Sequence, residues 1–448
     1  MARLKYPRNL FADIERAWNP EPKGNGWPRV DLPARATLGE LLDVCYHASL
    51  MSEEGRPIVF RVALISSSAP IHPPREQSIP LEPVTRYLLG QPVPFTTGEL
   101  RRLAPVADPR QVMIAVEEIN EGARSRLQIY GLIDVGMALW EMARHQRISG
   151  NSSPDALVIS STRAGELSVS RGDRPVIRLR GGQVVAPLKS VLYQGPIADF
   201  FYDASDELID EAIRHAALPD SRVRRHEQDD GRDFAHVNFL ESLLLQTAEQ
   251  RHGGTLLFVP DHVADNDELL LESVSIKYPL PSTRPRDALL AAMSIRLMHN
   301  DLYERLHEQD RVSHNRIEEL EALDWNQRQY EDSANDAVRF VASLTAVDGA
   351  VLLTDKLRII GFGAEVRFND LETNMVSLAK NEEGTDASAA PFTTYGTRHR
   401  SAFRFVEGMA PAVAFILSQD GGIKAAMFVE DRVVMWSYFA LGYTTALS

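Results

Sequence analysis

The sequence predicts an α/β protein in two parts: a C-terminal mixed-sheet domain with flanking helices, and a larger α/β region before it. Three observations predict this. Apolar residues recur with the two-residue period of strands in some segments and with helical spacing in others. The 448 residues exceed what one ordinary core holds, so two or three domains are expected. The pattern also changes near Ser333, after a long charged helical stretch. The expected partition is 1–282, an α/β regulatory region; 283–332, a helical linker; and 333–448, the C-terminal domain.

The elements follow in order. Thr37-Leu38-Gly39-Glu40 has the spacing of a capping box and opens a helix to Ser49. Arg56 to Ile65 is rich in Ile, Val and Phe and reads as a strand. Ser66 to Pro83 is a Ser/Pro loop. Gln111 to Val116 and Arg126 to Tyr130 read as short strands, and Val135 to Arg147 as a helix. Asp155 to Ser160 and Glu166 to Ser170 form a hairpin around Gly165. Ser205 to Ala217 and Val237 to Gln250 are helical, with a charged loop, Ser221 to Asp233, between them. Gly253-Gly254-Thr255 leads into the strand Leu256 to Val259. From Pro285 to Leu323 the stripe Ile295, Met298, Leu302, Leu306, Ile317, Leu320, Leu323 marks helix. Its readings are a linker helix packed on its own domain or a dimer coiled coil, although fewer than four clean heptads are present.

In the last part, Ser333 to Leu344 reads as helix, Ala350 to Leu353 and Leu357 to Gly361 as strands, and Asn381 to Thr394 as an acidic, mobile loop. Ser401 to Glu407 reads as helix. Val413 to Leu417, Ile423 to Val429 and Arg432 to Trp436 read as strands.

Composition narrows the function. A formal charge of −14 argues against a general nucleic-acid-binding surface. The single cysteine, Cys45, excludes a disulfide within the chain and fits a reducing compartment. It lies on the stripe Leu38, Leu41, Leu42, Cys45, which assigns it to packing. The start, Met-Ala-Arg-Leu-Lys-Tyr-Pro, has no apolar stretch of a signal peptide. No stretch reaches the roughly 18 apolar residues of a spanning helix. A cytoplasmic protein with no membrane partner is expected. The histidines show no zinc-like spacing, and there is no Walker A pattern, dinucleotide fingerprint or Gly-x-Ser-x-Gly elbow.

The chemistry concentrates at Tyr395-Gly396-Thr397-Arg398-His399-Arg400. This is a loop-to-helix junction, where free N–H groups and the helix dipole attract an anion. Thr397 can cap the helix or bond a phosphate. Arg398 and Arg400 offer planar forks for phosphate oxygens, and His399 can donate to a phosphate or leaving pyrophosphate. A basic helix start that pairs with surface carboxylates is the plain alternative. Asp348-Gly349-Ala350 stands at the mouth of an apolar strand. There a carboxylate can bind a divalent metal or take a proton from a hydroxyl, and a glycine lets a ligand approach the backbone. Two other basic clusters, Arg144-His145-Gln146-Arg147 and Arg224-Arg225-His226, follow no Gly-Thr turn and read as surface charge.

Four segments occur in a fixed order: Val347-Asp348-Gly349-Ala350; Arg358-Ile359-Ile360-Gly361-Phe362-Gly363-Ala364-Glu365-Val366; Gly396-Thr397-Arg398-His399-Arg400-Ser401-Ala402; and Ala412-Val413-Ala414-Phe415-Ile416-Leu417-Ser418 with Gly421-Gly422-Ile423 beyond. Together they resemble the diadenylate cyclase (DAC) domain, the nucleotide-binding domain of the DNA-integrity scanning protein and its relatives. The resemblance covers Asp336 to Trp436. It implies that two ATP molecules become cyclic di-AMP and two pyrophosphates. It also implies a homo-oligomer in which two such domains meet face to face, each holding one ATP. Asp348 would sit by the 3′-hydroxyl and help a Mg²⁺ or Mn²⁺ ion activate it. Gly349 and Val366 would border the nucleoside, and Ala350 would also belong to the nucleotide-binding set. Thr397, Arg398, His399 and Arg400 would hold the triphosphate, and Gly396 and Ser418 would also bind the nucleotide. The family has Ser-Glu-Glu after the last core strand, where a carboxylate assists the metal. Here Ser418-Gln419-Asp420 keeps only Asp420 as the second metal ligand.

The first region contains an echo. Tyr130-Gly131, a helix, then Asp155 to Ser160 and Gly165-Glu166-Leu167 parallel Tyr395-Gly396, a helix, then Ala412 to Ser418 and Gly422-Ile423. Leu132-Ile133-Asp134-Val135 stands where Thr-Arg-His-Arg would be. Arg251 to Leu257 is similar to the strand after Asp348, without the Asp. The region therefore reads as a degenerate cyclase-like fold that has lost its phosphate grip, or as an unrelated helix–strand–hairpin unit. It also resembles the sensor domains that precede cyclase domains in some bacterial proteins. The expected function is a diadenylate cyclase regulated by its N-terminal region. The alternatives are a nucleotide-binding sensor without turnover, favoured by Gln419, and a synthase of another cyclic dinucleotide.

Overall fold

The computed structural model describes residues 4–18, 30–71, 84–109, 111–121, 124–136, 154–172, 174–185, 190–218, 235–250, 252–264, 268–307, 313–368, 374–419 and 422–437. They form two compact units, residues 4–185 and 190–437, each built on its own mixed sheet. Asp420, both basic clusters at 144–147 and 224–226, the loop 221–233 and the expected helix beyond Gly136 lie outside the described residues. No helix among the described residues is long and apolar enough to cross a membrane.

The first unit runs α1 (Phe11–Ala17), α2 (Arg35–Ser49), β1 (Phe60–Leu64), β2 (Thr85–Pro94), α3 (Thr97–Leu103), β3 (Val112–Glu121), β4 (Arg124–Asp134), β5 (Leu157–Ser161), β6 (Leu167–Arg171), β7 (Arg174–Arg180) and β8 (Gln183–Val185). The sheet order is β8-β7-β6-β5-β1-β3-β4-β2. Only β1 and β3 are parallel neighbours. Strand residues alternate between faces. Phe60, Val62, Leu157 and Ile159 share a core with Ile14, Leu38, Leu41 and Leu42, while Ala63, Val158, Met113 and Ile133 form a second cluster. Each such buried Phe, Leu, Ile, Val or Met side chain contributes about 1.5–3 kcal/mol. Cys45 lies in the first core, fully buried, and burial pushes its thiol pKa well up, as a packing role requires.

Several local expectations change. Helix α2 starts at Arg35 with Ala34 as N-cap and no side-chain cap. Thr37 is therefore inside the helix and donates to Glu118 Oε1 at 2.8 Å, so Thr37-x-x-Glu40 is not a capping box. Arg56–Pro57 turns back on Ser52–Glu53, and only Phe60–Leu64 joins the sheet. Strands β3 and β4 extend into polar sequence because they pair with each other along a ten-residue hairpin. At the start of α3 Thr96 Oγ1 caps the helix, accepting from Glu99 N at 3.3 Å. Thr96→Ala is expected to destabilise α3 by about 1 kcal/mol. Faster amide exchange across residues 97–103 would report it.

The second unit runs α4 (Pro196–Ala216), α5 (Ala235–Glu249), β9 (Gly254–Val259), α6 (Glu268–Ser273), β10 (Val274–Ser282), α7 (Arg284–His307), α8 (His314–Leu344), β11 (Ala350–Thr354), β12 (Ile359–Val366), β13 (Met375–Ala379), β14 (Ala387–Pro391), α9 (Thr397–Gly408), β15 (Val413–Leu417), β16 (Ile423–Val429) and β17 (Arg432–Trp436). The order is β10-β12-β11-β9-β15-β16-β17-β13-β14. Strands β9, β11 and β15 are buried along their whole length, as central strands covered on both faces are. On one face Ala402, Phe403 and Val406 of α9 pack on Leu257, Leu352, Ala414 and Ile416. On the other, Phe258 meets Phe201 of α4 and Phe415 edge-on, with ring centroids 5.3 and 5.8 Å apart.

The division of the chain differs from the expected partition. Strand β9, upstream of residue 282, sits between β11 and β15 in the middle of the second sheet. Helices α7 and α8, expected as a linker, pack on each other and on α4 and α5. Asn381 to Thr394 is not a plain loop. It carries β14, paired with β13, and a turn held by Asn381, whose Oδ1 accepts from Asp386 N at 3.0 Å.

The two sheets repeat one topology. In chain order, β1, β2, β3, β4, β5, β6, β7 occupy the places of β9, β10, β11, β12, β15, β16, β17, with the same neighbours and the same directions. The second unit adds the β13–β14 hairpin. Leu157↔Arg171 and Val158↔Ser170 in β5–β6 match Val413↔Met427 and Ala414↔Ala426 in β15–β16. Gly131 and Gly361 each lie where a β-carbon would strike a tyrosine carbonyl, of Tyr87 and Tyr278 respectively. This corrects one half of the echo. The hairpin half corresponds as expected, but Gly131 is a strand residue and corresponds to Gly361 rather than Gly396. Of the segment Arg251 to Leu257, Arg251 lies outside the described residues and Gly254 to Leu257 lie in β9, the counterpart of β1 and the parallel neighbour of β11.

Candidate functional site

The resembling segments converge at one end of the second sheet. Leu256 pairs in parallel with Val351, and Gly254 pairs with Leu417. The residues leading into β11 (Asp348-Gly349), those leading into β9 (Gly253-Gly254) and those leaving β15 (Leu417-Ser418) therefore lie side by side, about 4.8 Å apart per strand. Val366 is two residues beyond Ala364, the partner of Ala350, so it stands one strand from Asp348 on the other side.

Asp348 and Gly349 are exposed. Asp348 makes no hydrogen bond or ion pair among the described residues. Ala350 is buried in the core under α9. Gly349 has φ +112°, and a β-carbon there would lie 2.6–2.9 Å from the backbone of Gly363 and Ala364. Gly363 (φ +65°) sits in a register shift between Ala350 and Leu352. The first sheet pairs regularly at the corresponding place, Val112 to Ala115 against Asp134 to Gly131. There Gln111 and Val112 stand where the second unit has Asp348 and Gly349. The bulge and the carboxylate thus distinguish the second unit from the first.

Helix α9 supplies the basic residues. It begins at Thr397 with Gly396 as N-cap, four residues before the expected start. Glycine has no side chain to cap with, so no N-cap side chain satisfies the first N–H groups. Thr397 is the first helical residue, not the cap. Arg398 lies over β9, where its Nη1 fills the space a β-carbon on Gly253 would need. Gly253 itself has φ +70°, and His252 braces this turn through Gly253 O (2.7 Å) and Gln250 Oε1 (2.6 Å). Arg400 is half-buried, and its Nε has no hydrogen-bond partner among the described residues. A buried donor of this kind is costly unless an acceptor arrives.

His399 is held among Tyr395, Phe403 and Lys424. Ring centroids lie 5.6 Å from Tyr395 and 6.2 Å from Phe403, and Lys424 Nζ is 2.9 Å from His399 Nε2. Burial, then Lys424 and Arg398, push the His399 pKa down to about 4. The ring is neutral near pH 7. Lysine can only donate, so Nε2 accepts and the ring proton is on Nδ1. Ser418 is half-buried, with its N–H donating to Gly422 O at 2.8 Å, and Gln419 is exposed.

Three features escaped the sequence reading: Gly253 under Arg398, Lys424 on His399, and the stacked cross-strand pair Tyr278 and Phe362 beside Gly363 (5.0 Å, 24°). Lys424 left one signal, a lone cation in the apolar strand Ile423-Lys424-Ala425-Ala426-Met427. Among the described residues no three His, Cys, Asp or Glu side chains gather as a metal cage. Asp348 is a carboxylate without a partner among the described residues, so a divalent ion there would need most of its ligands from outside the protein.

A family model described as probable sensor domain DACNV matches residues 27–134, which contain α2, α3 and β1 to β4 of the first unit. No curated protein and no solved structure matches the chain.

Proposed function

We propose that the second unit is a diadenylate cyclase regulated by the sensor-type first unit. The observation that carries this is the meeting, at one sheet end, of an uncommitted carboxylate (Asp348), a bulge that exposes backbone (Gly349 against Gly363) and an uncapped helix start with Arg398 and Arg400. The α9 N-terminus and the two guanidiniums would bind the triphosphate and offset its charge. Asp348 would accept the proton of the 3′-hydroxyl as its oxygen bonds to the α-phosphorus of the second ATP. The bond from that phosphorus to the bridging oxygen breaks, and pyrophosphate leaves. The same step in reverse roles closes the ring. A Mg²⁺ or Mn²⁺ ion held by Asp348 and phosphate oxygens would polarise the phosphate and lower the hydroxyl pKa.

Only one unit per chain has the carboxylate, since Gln111 takes its place in the first. Two copies of the chain would therefore supply the two reacting halves. The protein incubated with ATP and Mn²⁺ or Mg²⁺ is expected to yield cyclic di-AMP and pyrophosphate, resolved by mass spectrometry. Saturable ATP binding with no product under either metal would overturn the enzyme in favour of a nucleotide-binding sensor. Exposed Gln419, which cannot carry a charge, is the observation that favours that second function.

A further inference from the structure

We propose that Lys424 binds the pyrophosphate end of the nucleotide and positions His399 as a neutral Nδ1–H donor toward it. This rests on the nucleotide site proposed above. Four neighbouring strands set the geometry: Asp348 lies two residues before β11, Gly253, under Arg398, immediately precedes β9, Ser418 immediately follows β15, and β16 carries Lys424 opposite Ile416. Asp348 and Lys424 are thus about 14 Å apart across the sheet end, by strand spacing. A negative group stands at one extreme, where the hydroxyl reacts. Cations lie toward the other, Arg398 over Gly253 and Lys424 on β16. A triphosphate laid along this line has its α-phosphorus near Asp348 and its β and γ phosphates near Lys424.

Ile416, the cross-strand partner of Lys424, belongs to the core under α9, so Lys424 stands on the helix-covered face. There its ammonium meets His399 Nε2 at 2.9 Å and lies 5.9 Å from the Tyr395 ring centroid. The charged groups around the His399 ring are Lys424 from β16 and Arg398 from α9. Both oppose its protonation.

The test compares Lys424→Met and Lys424→Gln with Lys424→Arg in the full chain, using ATP, inorganic pyrophosphate and AMP as calorimetric probes. The Met and Gln variants are expected to lose about ten- to a hundredfold in affinity for ATP and pyrophosphate and little for AMP, with Arg restoring most of it. Histidine NMR should show the His399 midpoint rising from about 4 in the Met and Gln variants, while burial keeps it below the ordinary value. A wild type that binds ATP, with Met and Gln variants unchanged toward pyrophosphate, overturns the Lys424 assignment alone. So does an unmoved His399 titration. A wild type that binds neither ATP nor pyrophosphate overturns the nucleotide site and this assignment together.

Discussion

Asp348→Asn is expected to lower cyclic di-AMP formation by about a thousandfold or more, equivalent to about 4 kcal/mol in the barrier. The substitution keeps the shape of the side chain and removes its charge and its ability to take a proton. Asp348 is exposed and bonds to nothing among the described residues, so the fold should not register the change. ATP affinity should fall far less than the rate, because the cationic triphosphate contacts come from Arg398, Arg400 and Lys424 rather than from Asp348. Rates measured by mass spectrometry, with ATP binding measured in parallel, separate the two effects. A variant that keeps more than a tenth of the wild-type rate would remove Asp348 from the chemistry.

Gly349→Ala should remove turnover as completely and also destabilise the second unit by about 3 kcal/mol. The residue has φ +112°, where an L side chain is strained, and its β-carbon would meet backbone atoms of Gly363 and Ala364 at 2.6–2.9 Å. Backbone cannot rotate aside as a long side chain can. Gly363 has little room to retreat, since Lys277 Cβ and Tyr278 Cδ2 lie 3.2 and 3.3 Å from where its own β-carbon would be. The start of β11 must shift, and Asp348 with it. For a unit of this size the loss corresponds to a melting temperature lower by about 6–12 °C. Gly396→Ala is the control, because nothing lies within 4 Å of its added carbon and its φ is −69°. It should cost less than about 1 kcal/mol. Equal destabilisation by both substitutions would refute the account of Gly349.

The residues that could do the chemistry were legible in the chain. Asp348, Arg398, His399 and Arg400 are recognisable by type and by their turn and helix-start contexts, which are local. The meander β15, β16, β17 was legible to the residue for the same reason, since each strand pairs with the next across a short turn. The hairpin correspondence between Asp155 to Leu167 and Ala412 to Ile423 also showed in the sequence, because turn length and alternation are local properties. What tertiary structure alone decided lies in pairings between distant segments. Strand β9 reads as part of the first region until it inserts between β11 and β15, which arrive far downstream. Gly253 becomes part of the site only because Arg398 descends on it, and Lys424 only because β16 brings it to His399. The bulge at Gly363 exists only in the register between β11 and β12. Local pattern records which backbone shape and which face a residue prefers, whereas the free energy that selects one partner strand over another comes from burying both at once.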